Sequence, residues 1–143
     1  ELLLFLAGRA ELVGKVIRPA LENGKLVISN RFGLSSIAYQ VYGRQKPELL
    51  EFFRTASKKI TLGCEPDACI LLDVTPETGV ARVHSRPEEP TRFDNETLDF
   101  HARVREGLLK HVAEFGIPFV IDAEKPLEDV WTETMNAVQS VLR

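Results

Sequence analysis

Apolar residues recur at helical spacing along most of the chain. From Leu2 to about Asn23 they fall at positions 2, 6, 13, 16, 17, 20 and 21 with charged residues between them, which predicts a helix that ends at Gly24. Pro19 removes one backbone donor, so it should kink this helix or begin its last segment. Further helices are predicted over about 47–61, 76–85, 95–114 and 127–142, with one or two helical turns over 35–40.

Three short apolar runs lie between the predicted helices and are typical of buried strands. They cover residues 25–29, 68–74 and 118–121, and the second should be the central strand. Strands that alternate with helices predict right-handed crossovers and a parallel sheet with helices on both faces. Since 143 residues is close to the length of one ordinary domain, about 150 residues, we predict a single α/β domain over residues 1–143.

Composition narrows the classes of function. The 18 basic and 21 acidic residues give a net charge of −3, so we expect no general attraction to nucleic acid. The longest apolar runs, residues 2–7 and 68–72, are far shorter than the roughly 20 residues that cross a bilayer, so we expect no membrane span. Cys64 and Cys69 cannot build a disulfide framework or a zinc site, and we interpret them as small apolar residues in a reducing compartment.

Arg31 is the first candidate for chemistry. Ligands of parallel α/β proteins bind beyond the carboxyl ends of the strands, and Arg31 follows the predicted strand over 25–29. Its planar guanidinium suits a substrate phosphate. The alternative is an internal ion pair with a carboxylate such as Asp73.

Phe5 and Arg9 lie four residues apart, so they share one face of the first predicted helix. A ring beside a guanidinium can stack on a nucleobase and hydrogen-bond its edge or its phosphate. The alternative is an arginine whose stem covers the core while its charge reaches water. Phe32, Ser36 and Tyr39 offer two rings and a hydroxyl at near-helical spacing, and their alternative is a turn with core aromatics.

Three arginines, Arg82, Arg86 and Arg92, border a loop broken by prolines, which we interpret as a lid over about residues 82–95. Phosphoryl transfer needs positive charge at the transferred group when the site closes, and lid arginines can supply it. The alternative is a solvated face paired to nearby glutamates such as Glu96.

Several stretches together match one family in order and spacing. The most specific is Arg31-Phe32 followed by Ser35, Ala38, Tyr39 and Gln40. Residues 3–10, 17–21, 43–44, 66–67, 70–74, 92–93 and 121–123 match as well. On these residues the chain resembles the thymidylate kinases, which have the P-loop nucleoside-monophosphate kinase fold.

The resemblance implies a three-layer α/β fold of the P-loop NTPase type. It also implies transfer of the γ-phosphoryl group of ATP, with Mg²⁺, onto dTMP to give dTDP. ATP and dTMP are then the small-molecule partners, and the protein is expected to be a cytoplasmic homodimer packed through helices.

Site residues follow from the same resemblance. Phe5 matches the ring that stacks on thymine, Arg9 the arginine that contacts the base or the monophosphate, and Arg31 the arginine that grips the phosphate. The positions that line the thymine and deoxyribose are Ser35, Ser36, Tyr39 and Gln40. The lid arginines that would act in catalysis with Arg31 are Arg82, Arg86 and Arg92, and the adenine loop corresponds to Ala123 and Glu124.

Three features depart from the family pattern. Asn30 replaces the aspartate that contacts the substrate and the magnesium shell, which leaves the metal ligands open. Gly8 replaces another aspartate, although glycine costs about 1 kcal/mol relative to alanine inside a helix. No G-x-x-x-x-G-K-S/T motif occurs, so we expect the domain to be incomplete at its amino end, without the first strand, P-loop and helix. These departures leave a noncatalytic nucleotide- or partner-binding protein as the alternative.

Overall fold

Helices make up most of the structure, and two strands form a small sheet. The computed structural model describes residues 1–85, 87 and 91–142. In chain order the elements are α1 (Leu2–Leu12), a π-helical turn (Val13–Ile17), α2 (Arg18–Glu22), α3 (Gly33–Ser36), a π-helix (Ile37–Gly43), α4 (Leu49–Thr61), β1 (Ala68–Asp73), α5 (Pro76–His84), α6 (Leu98–His111), a 3-10 turn (Val112–Glu114), β2 (Ile117–Asp122) and α7 (Leu127–Val141). Within this described part, no helix is long and apolar enough to cross a membrane.

The predicted helices correspond closely to the observed ones. Those over about 47–61, 76–85, 95–114 and 127–142 are confirmed as α4, α5, α6 with its 3-10 turn, and α7. The first predicted helix is also confirmed, and Pro19 stands in the first turn of its last segment, α2, directly after the π-helical turn.

The two strands run parallel, which confirms the predicted α/β class. Their register pairs Ala68 with Ile117 at one end and Asp73 with Asp122 at the other. Helix α6 packs against β1, and α7 packs against both strands. This arrangement agrees with the three-layer α/β fold that the sequence predicts, and it places the carboxyl ends of both strands at one edge.

Residues 25–29 do not form the predicted buried strand, and this part of the prediction is wrong. The segment is irregular, and Leu26 and Ile28 are 61% and 81% exposed. The sheet of the described residues consists of β1 and β2 alone, so no neighbouring strand pairs with this segment. An apolar run becomes a buried strand only where a neighbour completes its ladder of hydrogen bonds.

The main core joins the helices that carry the candidate residues. Leu2 and Leu6 of α1 pack with Ile37 and Val41 of the π-helix and with Phe53 of α4, all buried. A second cluster ties Leu34, Leu71 and Val112 together and so connects α3 to β1. Helix α1 and the helical segment over 33–43 are therefore fixed relative to each other and to the sheet.

Candidate active site

A cavity of about 310 Å³ lies between α1 and the helical segment over 33–43. It gathers all seven residues for which the sequence predicted contact with dTMP: Phe5, Arg9, Arg31, Ser35, Ser36, Tyr39 and Gln40. Leu4, Gly8, Leu12, Phe32 and Phe93 complete its lining. Its size falls within the range of small-molecule sites.

Arg9 is the most constrained charge in the cavity. Its Nη2 donates to Ser36 Oγ at 2.6 Å and to the Phe32 carbonyl at 3.2 Å. Its guanidinium carbon lies 5.1 Å from the centre of the Phe32 ring and 5.6 Å from that of Phe53. Because the residue is only 8% exposed, the alternative of a charge that reaches water is wrong. Burial also lowers the pKa of Arg9 from its ordinary value.

Arg31 adopts a backbone conformation that is rare for a residue with a side chain. Its φ of 71° lies in the left-handed region, and Ser29 Oγ donates to its carbonyl at 3.0 Å. Its guanidinium carbon lies 4.7 Å from the centre of the Tyr39 ring. Uncommon backbone conformations of this kind concentrate at binding sites, where surrounding structure holds them in place.

The alternative that Arg31 pairs with Asp73 is wrong because another arginine binds that carboxylate. Arg105 of α6 donates from Nε and Nη2 to the two oxygens of Asp73, at 2.7 and 2.8 Å. This hydrogen bonding raises the pKa of Arg105 above its ordinary value. No sequence pattern pointed to Arg105, because its partner lies 32 residues away on β1.

Two buried donors in the cavity have no protein partner. Among the described residues, neither Nη1 of Arg9 nor Nε2 of Gln40 makes a hydrogen bond, and Gln40 is only 4% exposed. Buried polar groups are nearly always hydrogen-bonded, so each unpaired donor needs an explanation. Both atoms are enclosed by protein, so a ligand in the cavity would meet them only after the two side chains turn toward it.

Phe93 is a lining residue to which the sequence analysis assigned no role. Its ring meets that of Tyr39 edge to face, with centres 5.3 Å apart. It lies within the predicted lid over about residues 82–95, far along the chain from the other lining residues, so only the fold brings it to the cavity. Its place in the 92–93 stretch of the resemblance was the one signal that could have found it.

The predicted adenine residues lie at the carboxyl edge of the sheet and do not line this cavity. Glu124 Oε1 accepts from both the backbone N–H and the hydroxyl of Thr75, each at 2.8 Å. These bonds lower the pKa of Glu124, the bond to the backbone N–H most strongly. The Ala123 carbonyl accepts from Arg82 Nη1 at 2.8 Å. The groups at this edge are thus bound to one another.

The three arginines of the predicted lid have different surroundings. Arg82 reaches the sheet edge, as described, whereas the largely exposed Arg92 lies 3.7 Å from the Glu1 carboxylate. Arg86 and residues 88–90 lie outside the described residues. The alternative partner Glu96 is bound instead by Arg44, at 2.6 Å.

The described residues do not form a metal site of their own. Within this part of the chain no group of three or more His, Cys, Asp or Glu side chains converges. The Asp73 carboxylate is engaged by Arg105 on both oxygens, and Asn30 offers an uncharged amide. These side chains therefore do not fit a divalent ion held by the protein alone.

The charge of the cavity defines the kind of ligand it suits. Among the residues that the structure describes, the guanidiniums of Arg9 and Arg31 line it, and no Asp or Glu does. Four aromatic rings add faces on which a planar group can stack. A parallel α/β fold with this cavity defines the class of proteins that bind a planar, anionic ligand such as a nucleotide.

Comparison with known proteins narrows this class to one family. The profile of the family described as thymidylate kinase matches residues 1–134. The thymidylate kinase of Desulfovibrio desulfuricans is 43% identical over 150 positions, which cover 100% of this chain and 68% of the relative. That of Bacillus pumilus is 37% identical over 145 positions with the same coverage, and that of Maridesulfovibrio salexigens is 48% identical over 120 positions, covering 79% of this chain and 54% of the relative. The chain belongs to the thymidylate kinase family, which confirms the resemblance seen in the sequence.

Proposed function

We propose that the protein transfers the γ-phosphoryl group of ATP to dTMP and so forms dTDP. One observation carries the proposal. A single cavity gathers all seven residues that the family resemblance assigned to dTMP, and its described lining presents two guanidiniums and no carboxylate. The name thymidylate kinase, which the matched relatives carry, supports the same acceptor.

The acceptor would be held by its base at one end and by its phosphate at the other. Phe5 would stack on the thymine ring, and Arg31 would hold the phosphate through its planar fork of donors. Arg9 Nη1 and Gln40 Nε2, two of the buried donors without a partner in the described part of the chain, would turn toward acceptor atoms of the nucleotide. Tyr39 would line the deoxyribose and support Arg31 through its ring.

Catalysis in this proposal depends on positioning and on charge rather than on a covalent intermediate. Arg82, Arg86 and Arg92 would bring positive charge to the migrating phosphoryl group from a lid over about residues 82–95. Ala123 and Glu124 would border the adenine of ATP. Mg²⁺ would arrive with the nucleotide, because the described residues form no cage for the ion.

We also propose that two copies of the protein associate through helices. Leu3, Leu12 and Val16 on the first helical stretch are 66%, 40% and 56% exposed, which is a large apolar surface for one helix. A cytoplasmic location belongs to the same proposal, and the free thiols of Cys64 and Cys69 suit its reducing conditions. Sedimentation velocity of the wild type and of Val16→Glu tests the association, because a charge in the interface should shift the protein to monomers.

The kinase proposal is tested by two measurements. Titration calorimetry measures dTMP binding to the 143-residue chain, and chromatography measures dTDP formed from dTMP and Mg-ATP by the product of the whole gene. We expect dTMP to bind and dTDP to form, and Arg31→Ala to weaken both.

Arg54→Ala is the matched control for Arg31→Ala, because Arg54 binds Glu51 and Glu114 at the surface and does not line the cavity. It should leave both measurements unchanged. A folded chain that does not bind dTMP would contradict the proposal. Binding without any dTDP would favour the noncatalytic alternative.

A further inference from the structure

Gly8 lies inside α1 although nothing in the backbone or the packing requires a glycine there. Its φ is not in the left-handed region, unlike those of Gly24, Gly63 and Gly116. A Cβ added at position 8 would meet no atom within 4 Å. Glycine is among the least favourable residues in a helix interior, so an alanine would form this helix more readily.

Other glycines of the chain have a clear packing reason. A Cβ at Gly33 would come within 2.4 Å of the Phe115 ring, and one at Gly107 within 2.8 Å of the Tyr42 ring. Gly8 shows no such contact. Gly8 lines the cavity together with Phe5 and Arg9, and the cavity wall has no side chain at this position.

Gly8 stands three residues after Phe5, so the two positions are neighbours on one face of the helix. We propose that Gly8 widens the acceptor cavity relative to the family pattern, in which an aspartate stands at this position, so that room remains beside Phe5 for a pyrimidine base with a substituent larger than the methyl group of dTMP. The inference rests on the proposed function and adds a residue that selects among acceptors.

Gly14 provides a matched control. It lies in the same helical stretch, is exposed, and would also meet no atom within 4 Å if it carried a Cβ, but it does not line the cavity. The experiment compares Gly8→Ala and Gly8→Leu with Gly14→Ala and Gly14→Leu. For each variant, calorimetry gives the dissociation constants of dUMP, dTMP and 5-iodo-dUMP, and circular dichroism gives the thermal midpoint.

We expect Gly8→Leu to weaken dTMP binding about tenfold or more, the usual effect of one misplaced group in a fitted pocket. The loss should grow from dUMP to dTMP to 5-iodo-dUMP, and Gly8→Ala should show the same order with smaller losses. Both Gly14 variants should bind all three nucleotides as the wild type does. The two alanine variants should melt at or above the wild-type midpoint, which shows that the binding losses do not come from unfolding.

Two results would overturn the inference while the proposed function stands. In one, the wild type binds dTMP and the Gly8 variants bind the three nucleotides as tightly as the Gly14 variants do. In the other, the Gly8 variants lose the same factor for all three nucleotides, so that size plays no part. A folded wild type that binds none of the three would instead remove the proposed function, and the role of Gly8 with it.

Discussion

The cavity and the carboxyl edge of the sheet are both rich in charged groups, but they differ in how those groups are paired. In the cavity, Arg9 and Gln40 each keep a buried donor without a partner among the described residues. At the sheet edge, Asp73 binds Arg105 through both oxygens, and Glu124 accepts two hydrogen bonds from Thr75. The cavity therefore contains donors without a partner, whereas the charged groups of the sheet edge are hydrogen-bonded to one another.

Pairing affects how a substitution acts. A buried donor without a partner lowers the stability of the free protein, and a ligand that supplies the partner recovers that loss on binding. Among the described residues, unpaired buried nitrogens also occur outside the cavity, at Arg18, Arg44 and His101, so they alone do not mark a binding site. We expect substitutions of the cavity residues to change dTMP binding, and substitutions of the Asp73–Arg105 pair to change stability.

The largest effect is expected for Arg9→Ala. It removes both the unpaired Nη1 and the bonds of Nη2 to Ser36 and Phe32, and hydrogen bonds of charged groups contribute about 1.5–3 kcal/mol each. dTMP binding should weaken about 100-fold, as measured by titration calorimetry. Arg105→Ala, the same change at the sheet edge, should alter the dissociation constant of dTMP by less than about twofold, because Arg105 does not line the cavity. Equal losses in the two variants would remove the distinction between the regions.

Gln40→Met should change binding and stability in opposite directions. Methionine has a similar shape and no buried donor, so the free energy of unfolding should rise by about 1 kcal/mol. dTMP binding should weaken about tenfold because the amide no longer meets an acceptor of the ligand. Chemical denaturation and calorimetry measure the two effects. A variant that is less stable than the wild type would show that the Gln40 amide is already satisfied in the free protein.

Arg105→Ala should destabilise the protein by about 1 kcal/mol, because it leaves the partly buried Asp73 carboxylate without its two-bond partner. Urea denaturation measures the change. Lys15→Ala is the control, since Lys15 and Glu11 form a pair that is mostly exposed and should contribute almost nothing. If both variants lose the same stability, the pairing at the sheet edge is no more than a surface contact.

The smallest effect concerns Glu114. The hydrogen bond from Arg54, and to a lesser degree that from His111, holds its pKa below the ordinary value of 4.5. A carboxyl with a lowered pKa in the folded state stabilises the protein above that value and loses this contribution as the pH falls below it. The stability advantage of the wild type over Glu114→Gln should therefore shrink as the pH falls through 4.5. We expect only a few tenths of a kcal/mol, because Glu114 is partly exposed. An advantage that grows on acidification would contradict this sign.

The helices could be predicted from the sequence because their signals are local. Apolar spacing, Pro76 at a first helical position and the apolar runs over 68–74 and 118–121 correspond to observed helices and strands, although the first of these runs is not central in the described two-stranded sheet. The segment over 25–29 has the same apolar character as β1 but forms no strand, because pairing depends on which segment lies beside it. Which segment lies beside it is decided by the whole fold, so the five residues alone do not reveal whether a strand forms.

The residues of the candidate site also fall into two groups, those with a local signal in the sequence and those without one. Phe5 and Arg9, like Ser36 and Gln40, lie four residues apart on helical segments, so spacing together with the family pattern identified them. Phe93 reaches the cavity from a distant part of the chain, and Arg105 meets Asp73 across 32 residues. Contacts between residues so far apart in the chain produce no local pattern in the sequence.

The π-helix over Ile37–Gly43 makes the binding face depend on the number of residues in the chain. A π-helical turn is equivalent to one residue inserted into an α-helix. Deletion of Ala38 would convert the segment to an ordinary α-helix, and the wider turn that now carries Tyr39 and Gln40 into the cavity would be lost. Residues after Gly43 would keep their faces, because the π-helical turn had absorbed the additional residue. A one-residue deletion here would therefore reshape the binding face and leave the later elements in place.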